Sequence, residues 1–472
     1  MISSIGTSNI DMLLMNYRTL EERPIRRLET KRSSIDNRIS LFSSLKSKLS
    51  TLESLAKELS YTDATSVFGS RSVSLSDESY FTATVTSSAV ITPHTVAVNQ
   101  LAKADKIIGN QYTLANTDLS TSLGAGTFTF QVTVNGDTHQ VSVDITAGDD
   151  NETVLDNIVT AVNNTSDIGI RASVIEDTDT TGRLVFSSED TGADYEMSLS
   201  DVTGTLLSTI GMNDSVQMNG TSGGYVYDSS ELNAILEIDG VTIQRNSNTI
   251  ENAIEGLTLN LIKTHQTGET PVTVNISSDT DSIKSKIQEF IDAYNDVLDF
   301  IHTNTSVNTT TYERSALSGD FAVMNLKLQL RNLISEPVSG LPTGDATILA
   351  QLGITTDRQG KLSISDEDEL DDYLSSNLDQ VSALFNSTDG ISSRLEDFLD
   401  DYTDGEGIIE KRKDVLQGQV NLINSRIDRM EDMVDRKMEY YRREFSQLQA
   451  AYSMYSSQYS SLGNIMQNGF AY

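Results

Sequence analysis

Residues with the potential for catalysis are few and scattered in this chain of 472 residues. The sequence has no cysteine, which excludes disulfides, thiol catalysis and thiolate metal ligands. The four histidines are His94, His139, His265 and His302, and none has a second histidine within helical reach. The sequence also contains no phosphate-binding Gly-Lys-Ser loop, serine nucleophile elbow or paired-histidine zinc helix. We therefore predict that the protein is not an enzyme and that it needs no cofactor and no metal.

Carboxylates are the one abundant reactive group. The clusters at 149–152 and 177–179 are candidates for Ca²⁺ binding, but neither has the twelve-residue spacing of an EF-hand loop. The acidic run at 366–372 is typical of the first turns of a polar helix, where negative charge favours the positive amino end. A glycosidase remains an alternative, because sequence spacing does not show whether two carboxylates approach within about 5 to 9 Å.

The charge is unevenly distributed along the chain. The formal net charge is −34, and residues 61–404 alone carry −37, so both ends are nearly neutral. This balance argues against nucleic acid and an anionic membrane as partners, because both attract clustered Lys and Arg. Acidic central domains repel one another while neutral ends can pack against other chains. Adaptation to a salty medium is the alternative cause of the acidity.

The elements that would carry any function are long helices near both ends of the chain. The first apolar series follows Pro24 with heptad spacing, and the second covers about 47 residues, or roughly 70 Å of helix. A helix of that length needs a partner helix or another subunit. A third stripe of the same spacing predicts one helical bundle built from both chain ends. The first series is Leu28, Ile35, Phe42 and Leu49 with Leu45, Leu52 and Leu59; the second is Leu416, Val420, Ile423, Ile427, Met430, Val434, Met438, Tyr441, Phe445, Leu448, Tyr452, Tyr455, Tyr459 and Leu462; the third is Ile283, Ile287, Phe290, Tyr294, Val297 and Ile301.

The segment after Glu444 carries no charge and is rich in Tyr, Ser, Gln and Met. Without charges it is poorly protected against association, so we expect it to assemble with other chains. A frayed terminus without a role is the alternative. For the heptad residues as a whole, the alternative is a coiled coil internal to one subunit.

The central section has the character of β-structure. Alternating strands are predicted at 80–86 and 95–98, and two hairpins turn at Asn135-Gly136 and Asp239-Gly240. A helix is expected at 151–163, strands at 170–175, 184–186, 257–262 and 272–276, and a linker at 220–224. The fold class predicted is α+β multidomain: a discontinuous helical bundle and coiled-coil stalk from both chain ends, with two inserted β-rich domains.

Several short motifs follow one another along the chain in a fixed order. They are Ile5-Gly6 with Ile10-Asp11, Glu22-Arg23-Pro24 and Leu28; Val98 to Ala102 with Lys106; Asp239-Gly240 with Arg245, Ser247 to Ile250 and Glu255 to Leu259; Phe290 to Asn295; Leu352-Gly353-Ile354 with Gly360, Leu362 and Ile364; and Phe445 to Leu462. In this order the motifs resemble the flagellar filament cap proteins, the second flagellar hook-associated protein family. Each motif is weak alone, but their order over the chain is specific, and residues 112–232 are left unmatched. At 8–10 the sequence departs from the more glycine-rich, leucine-bearing start that members carry.

The resemblance implies a structural cap at the distal tip of the bacterial flagellar filament, where it promotes insertion and polymerisation of exported flagellin and prevents its leakage. The implied partners are further copies in a small ring of roughly four to six, flagellin, hook-filament junction proteins, a cytosolic export chaperone and, in some members, host mucin. The sequence encodes no cleaved signal peptide and no membrane span, which taken alone predicts a cytoplasmic protein. The resemblance instead implies export through the flagellar channel to an extracellular position at the filament tip.

The predicted domains follow from the change of pattern along the chain. A terminal coiled-coil segment comprises 1–45 and 430–472, and a helical bundle domain comprises 46–75 and 280–429. An inner β-rich domain comprises 76–111 and 233–279, and an outer one 112–232. The predicted subunit and filament contacts are Leu28, Ile35, Phe42, Leu45, Leu49, Leu52, Ile423, Ile427, Met430, Val434, Phe445, Leu448, Tyr452, Tyr455, Tyr459 and Leu462.

Two other functions fit parts of this pattern. Another axial protein of the flagellum, such as flagellin or a hook-filament junction protein, also places heptad helices at both ends. A secreted glycan-binding adhesin would use the β-rich section alone.

Overall fold

The computed structural model of the protein describes residues 7–468, with side chains described over 11–463. The family-like start at Ile5 and Gly6, the Ile10 side chain and the residues 469–472 lie outside the described part. The described chain forms two compact units. The helical unit comprises 7–68 and 280–468, and the β-rich unit comprises Gly69–Asp279. The predicted division into four domains remains a proposal.

Helices make up most of the helical unit, and three shorter ones belong to the β-rich unit. In chain order the helices are α1 (Thr7–Glu21), α2 (Arg23–Ser60), α3 (Asp118–Leu123), α4 (Asn151–Asn163), α5 (Leu206–Ile210), α6 (Thr280–Thr305), α7 (Phe321–Ser335), α8 (Glu367–Ser376), α9 (Leu378–Asn386), α10 (Ile391–Thr403) and α11 (Ile408–Asn468).

Strands fill the β-rich unit, and one short hairpin lies in the helical unit. In chain order the strands are β1 (Arg71–Leu75), β2 (Phe81–Val85), β3 (Pro93–Gln100), β4 (Ala104–Ile108), β5 (Tyr112–Thr113), β6 (Gly126–Val134), β7 (Asp137–Ile145), β8 (Ile170–Thr178), β9 (Thr181–Thr191), β10 (Ser198–Thr203), β11 (Gly224–Tyr225), β12 (Ala234–Ile238), β13 (Val241–Arg245), β14 (Thr249–Ile254), β15 (Leu257–Leu261), β16 (Val272–Ser278), β17 (Ile354–Thr356) and β18 (Leu362–Ile364).

The core of the helical unit is organised around α2. This helix has proline in its first turn, where the missing N–H costs nothing. Its apolar stripe is buried, with Phe42, Leu45, Leu49 and Leu52 each at most 1% exposed. Helices α6, α10 and α11 pack along it, and their apolar faces join α2 in one continuous core. The three helices predicted from heptad spacing are confirmed as α2, α6 and α11.

The β-rich unit has two hydrophobic cores. One lies between the sheet β1-β16-β3-β12-β13 and the sheet β14-β15-β2, with Val96, Leu236 and Ile250 at its centre. The other lies among the sheet β10-β6-β7, the sheet β11-β4-β9-β5 with β8 paired to β9, and α3 to α5. Phe130 and Phe186 stack in this second core, with ring centroids 6.1 Å apart. The predicted fold class, a helical frame with inserted β-rich structure, is confirmed.

Both predicted hairpin turns are confirmed. Asn135 and Gly136 join β6 to β7, and both have positive φ, 51° and 85°. Asp239 and Gly240 join β12 to β13 with φ of 51° and 83°. Two successive positive φ values define the type I′ turn, whose twist matches that of the flanking strands. The predicted helix at 151–163 is α4, capped by Asp150, whose carboxylate accepts a hydrogen bond from the Thr153 amide.

The predicted linker at 220–224 is wrong. Gly224 begins β11, which pairs with β4, and the Gly223 amide donates to Asn110 Oδ1 at 2.8 Å. A Cβ atom on Gly223 would lie 2.2 Å from the Gly211 carbonyl oxygen and 2.5 Å from that of Ile108. Glycine is present here because two backbone segments approach closely, and a sequence does not distinguish that requirement from flexibility.

Candidate assembly surface

The predicted contact residues divide into a buried and an exposed group. The buried group belongs to the chain's own core, where α2 and α11 pack side by side, so its members are not available to other chains in this structure. Leu28 and Met430 are partly buried against the same core. The buried members are Ile35, Phe42, Leu45, Leu49, Leu52, Ile423, Ile427 and Val434.

The exposed group lies on the last part of α11. Leu448, Tyr455 and Leu462 are 62%, 71% and 57% exposed, respectively. Tyr452 is also exposed, Tyr459 is 75% exposed, and Phe445 is partly exposed. The structure therefore separates residues that stabilise one subunit from residues that can contact another.

The boundary between the two groups is set by α1, which runs antiparallel to α11. The Tyr17 and Tyr441 rings lie 5.5 Å apart. Ion pairs join Arg18 to Asp435 at 3.0 Å and Glu21 to Lys437 at 2.9 Å. Because α1 begins at Thr7 and runs antiparallel to α11, its described part does not extend along the final turns of α11.

Helix α1 itself adds exposed apolar surface that the sequence reasoning missed. Leu14 is buried in the α1–α11 contact, whereas its neighbours point to solvent. The sequence signals this surface by a run of apolar residues at 12–15, which precedes the heptad series that starts at Leu28. The exposed apolar residues of α1 are Met12, Leu13, Met15, Tyr17 and Leu20.

A buried carboxylate fixes the helices that support this surface, and sequence reasoning missed it too. The Asp320 side chain is 1% exposed and accepts hydrogen bonds from Arg412 at 2.8 Å and from Arg38 at 3.3 Å. It also caps α7 by accepting from the Ala322 amide. One side chain thus connects α2, α7 and α11. No local pattern marks such a residue, because its partners are about 280 residues upstream and 90 downstream.

Carboxylates of the candidate Ca²⁺ clusters accept hydrogen bonds from other residues of the chain. Hydrogen bonds from the side chain and backbone of Thr153 lower the pKa of Asp150. The Thr181 hydroxyl does the same for the pKa of Asp177, which also accepts a hydrogen bond from Gln111 at 2.7 Å. Within residues 7–468, no group of three or more His, Asp or Glu side chains is arranged to hold a metal ion.

The histidines are not brought together either. His94 pairs with Asp239 at 2.7 Å, and His265 stacks on the Tyr80 ring with centroids 3.8 Å apart. Burial raises the pKa of Asp105, whose carboxylate accepts a hydrogen bond from the Met197 amide at 2.8 Å. These groups serve local structure. In the described part of the chain, no helix is both long enough and apolar enough to cross a membrane.

These features define an α+β protein with a helical frame, an inserted β-rich unit and terminal helices that expose apolar side chains. Two family models match the sequence: "Flagellar hook-associated protein 2 N-terminus" over residues 8–105 and "Flagellar hook-associated protein 2 C-terminus" over residues 232–457. The section between them lies in the β-rich unit.

Individual proteins show the same similarity along most of the chain. The A-type flagellar hook-associated protein 2 of Pseudomonas aeruginosa is 30% identical over 439 residues, covering 90% of this chain and 87% of that protein. Flagellar hook-associated protein 2 of Escherichia coli K12 is 28% identical over 450 residues, covering 91% of each. The solved D1-D2-D3 domains of the flagellar cap protein FliD from Escherichia coli match with a TM-score of 0.62 at 29% identity, covering 80% of this chain and 99% of that one. The chain belongs to the flagellar hook-associated protein 2 family, which confirms the resemblance seen in the sequence.

Proposed function

We propose that this protein caps the distal tip of the bacterial flagellar filament, where it promotes insertion and polymerisation of exported flagellin and prevents its leakage. The observation that carries the proposal is the end of α11. From Phe445 to the end of α11 at Asn468 no residue carries a charge, and neither do residues 469–472 that follow in the sequence. The described apolar side chains of this part of α11 are largely exposed. A solved relative from Escherichia coli is described as a flagellar cap protein, which supports the same role.

The exposed residues form a surface suited to reversible helix packing. Leu448, Tyr455 and Leu462 are seven residues apart, and Phe445, Tyr452 and Tyr459 form a parallel series. Burying a large apolar side chain contributes about 1.5–3 kcal/mol. Several such contacts hold a subunit on a filament, yet each is weak enough to break when a new subunit enters below. We call residues 445–468, the charge-free part of α11, the docking end. The absence of charge removes a source of repulsion between the docking end of this acidic protein and its partner.

The further parts of the proposal concern partners and location. The protein is exported without a cleaved signal peptide, is held by a cytosolic chaperone before export, and forms a small ring at the filament tip. Flagellin and hook-filament junction proteins are its proposed contacts there. The buried residues of α2 and α11 hold the helical frame that presents the docking end. Adhesion to host mucin through residues 112–232 remains a prediction from the family resemblance alone.

The test compares two variants of equal charge. One places aspartate on the exposed stripe: Leu448→Asp, Tyr455→Asp and Leu462→Asp. The control places aspartate at the same seven-residue steps on another face: Ser446→Asp, Ser453→Asp and Ser460→Asp. Both sets lie on exposed positions, so the fold of each unit is expected to persist.

The readouts are the position of the labelled protein and the amount of flagellin in the medium. We expect a spot at each filament tip with the parent and control chains. The stripe variant should lose the spot and release unpolymerised flagellin. Normal filaments with the stripe variant would contradict the proposal, as would label along the whole filament, which would favour another axial protein.

A further inference from the structure

A second exposed apolar surface lies on the first half of α11, away from the docking end. Its residues follow the three-four spacing of one helix face, and we call it the basic stripe. None of its members is acidic, although the chain has a net charge of −34. Val415 and Leu422 on it are 56% and 73% exposed. The basic stripe consists of Ile408, Lys411, Val415, Gly418, Leu422, Arg426, Arg429 and Met433.

Two of the three cations of the basic stripe are unpaired within the described part of the chain. Arg426 and Arg429 make no ion pair there, although carboxylates outnumber cations two to one in the sequence. Lys411 lies near Asp404 and helps to lower the pKa of that carboxyl. Gly418 lies mid-helix with open space where a Cβ would stand. Glycine in an exposed helix interior is unfavourable by about 1 kcal/mol relative to alanine. A glycine between two exposed apolar residues lets another backbone approach closely, which offsets that disadvantage when a partner helix is present.

The same helical unit carries a complementary surface, which we call the acidic groove. It lies between α2 and α6, and its floor consists of Leu55 and Ala293, both half-buried. The carboxylates Glu289, Asp292 and Asp296 form one side of it. In the described structure, Asp296 pairs with Lys48 and Glu289 pairs with Lys286, while Asp292 accepts only from the Gln288 amide at 2.8 Å. Ser54 and Thr51 line the other side.

The two surfaces match in charge. The three carboxylates extend over about 10 Å of α6 at 1.5 Å per residue. Arg426 and Arg429 lie about 4.5 Å apart along the axis of α11, so both fall within that length. Because the stripe and the groove are different surfaces of one unit, joining them between copies is a heterologous contact, which generates a ring when the rotation closes.

We propose that the basic stripe of one copy packs into the acidic groove of a second copy. Leu422 lies over Ala293 and Leu55 of the groove, and Arg426 and Arg429 face its carboxylates. The inference depends on the self-assembly included in the proposed function and specifies the surfaces that perform it. The contact uses side chains remote from the docking end, so it can be tested separately.

Because the chain has no cysteine, a pair of introduced thiols gives a cross-link without background. A full-length Leu422→Cys chain is mixed with a size-tagged Ala293→Cys chain under mild oxidation. We expect a covalent heterodimer well above the yield of either homodimer. The control replaces Ala293→Cys by Ser375→Cys, an exposed position on α8. Equal heterodimer yields from the two mixtures would overturn the proposal.

A charge exchange tests the ion pairs. Arg426→Glu or Asp292→Arg alone should weaken oligomerisation by about tenfold, measured by sedimentation, and the two together in one chain should restore it. Both positions are exposed, so unchanged far-ultraviolet circular dichroism verifies folding. If neither single change alters oligomerisation, the contact between the basic stripe and the acidic groove is rejected. The cap function would still be tested separately by the variants at the docking end. A parent chain that stays monomeric at every concentration would reject self-assembly and this contact together.

Discussion

Replacing Asp320 tests whether one buried carboxylate connects the helical frame. Its carboxylate is 1% exposed, whereas Arg38 and Arg412 are 28% and 41% exposed. A hydrogen bond to a charged group is worth about 1.5–3 kcal/mol, but the partly exposed guanidinium groups can be rehydrated once the carboxylate is gone. We therefore expect Asp320→Asn to lower the free energy of unfolding of the helical unit by about 2–3 kcal/mol.

Asp320→Ala should cost about 1 kcal/mol more than the asparagine variant, because alanine also removes the cap of α7. The assay is urea unfolding followed by circular dichroism at 222 nm, where the long helices dominate the signal. Asp414→Asn, an exposed change on α11, is the control and should lie within about 0.5 kcal/mol of the parent. A double-mutant cycle with Arg412→Gln should give a coupling energy of at least about 1 kcal/mol. If Asp320→Asn behaves like the control, the carboxylate does not hold the three helices together.

Substitutions at other positions test core packing, a close backbone approach and a charged hydrogen bond one at a time. Phe42→Ala should destabilise the helical unit by about 3–5 kcal/mol, whereas Tyr455→Ala, on the exposed end of α11, should change the urea midpoint little. Equal effects would contradict the division between core and docking residues. Gly223→Ala should lower the stability of the β-rich unit by about 1–3 kcal/mol in thermal unfolding, because its methyl group meets two carbonyl oxygens; a neutral result would restore the linker interpretation. The pKa of Asp239 is lowered, first by its hydrogen bond with His94, so its contribution to stability is complete above the ordinary pKa near 4 and is lost as the pH falls through the lowered pKa. Asp239→Asn should therefore lower the urea midpoint at pH 7 and lower it progressively less as the pH falls below the ordinary pKa, and an effect that stays constant or grows toward low pH would refute the assignment.

The docking end could be found from sequence because its signal is local. Heptad spacing and the absence of charge after Glu444 can be recognised within a short stretch of sequence, and they placed Tyr455 and Leu462 on a single stripe. The same spacing at Phe42 and Ile427 indicated helices equally well. It did not indicate which stripes would meet inside one subunit, because an apolar stripe is equally suited to an internal and an external partner.

The β-rich unit shows the same difference between features set by neighbouring residues and features set by distant ones. The turns at Asn135 and Asp239 need only two neighbouring residues, so their sequences predicted them. The pairing of β1 with β16 joins residues about 200 positions apart, and β4 lies with β9 and β11 instead of in the sheet of β3. The pattern of a strand identifies the strand and its buried face, but it does not show which other strand pairs with it.

The sequence by itself determined the helical ends, the acidic β-rich insert, the family and the charge-free end of α11, because each depends on residue type and short spacing. Only the tertiary structure decided that α2 and α11 bury their stripes on each other, that Asp320 connects three helices, and that the basic stripe and the acidic groove are separate surfaces of one unit. Those outcomes depend on contacts between residues hundreds of positions apart. Such contacts are selected by the free energy of the whole packed chain, which no local pattern contains.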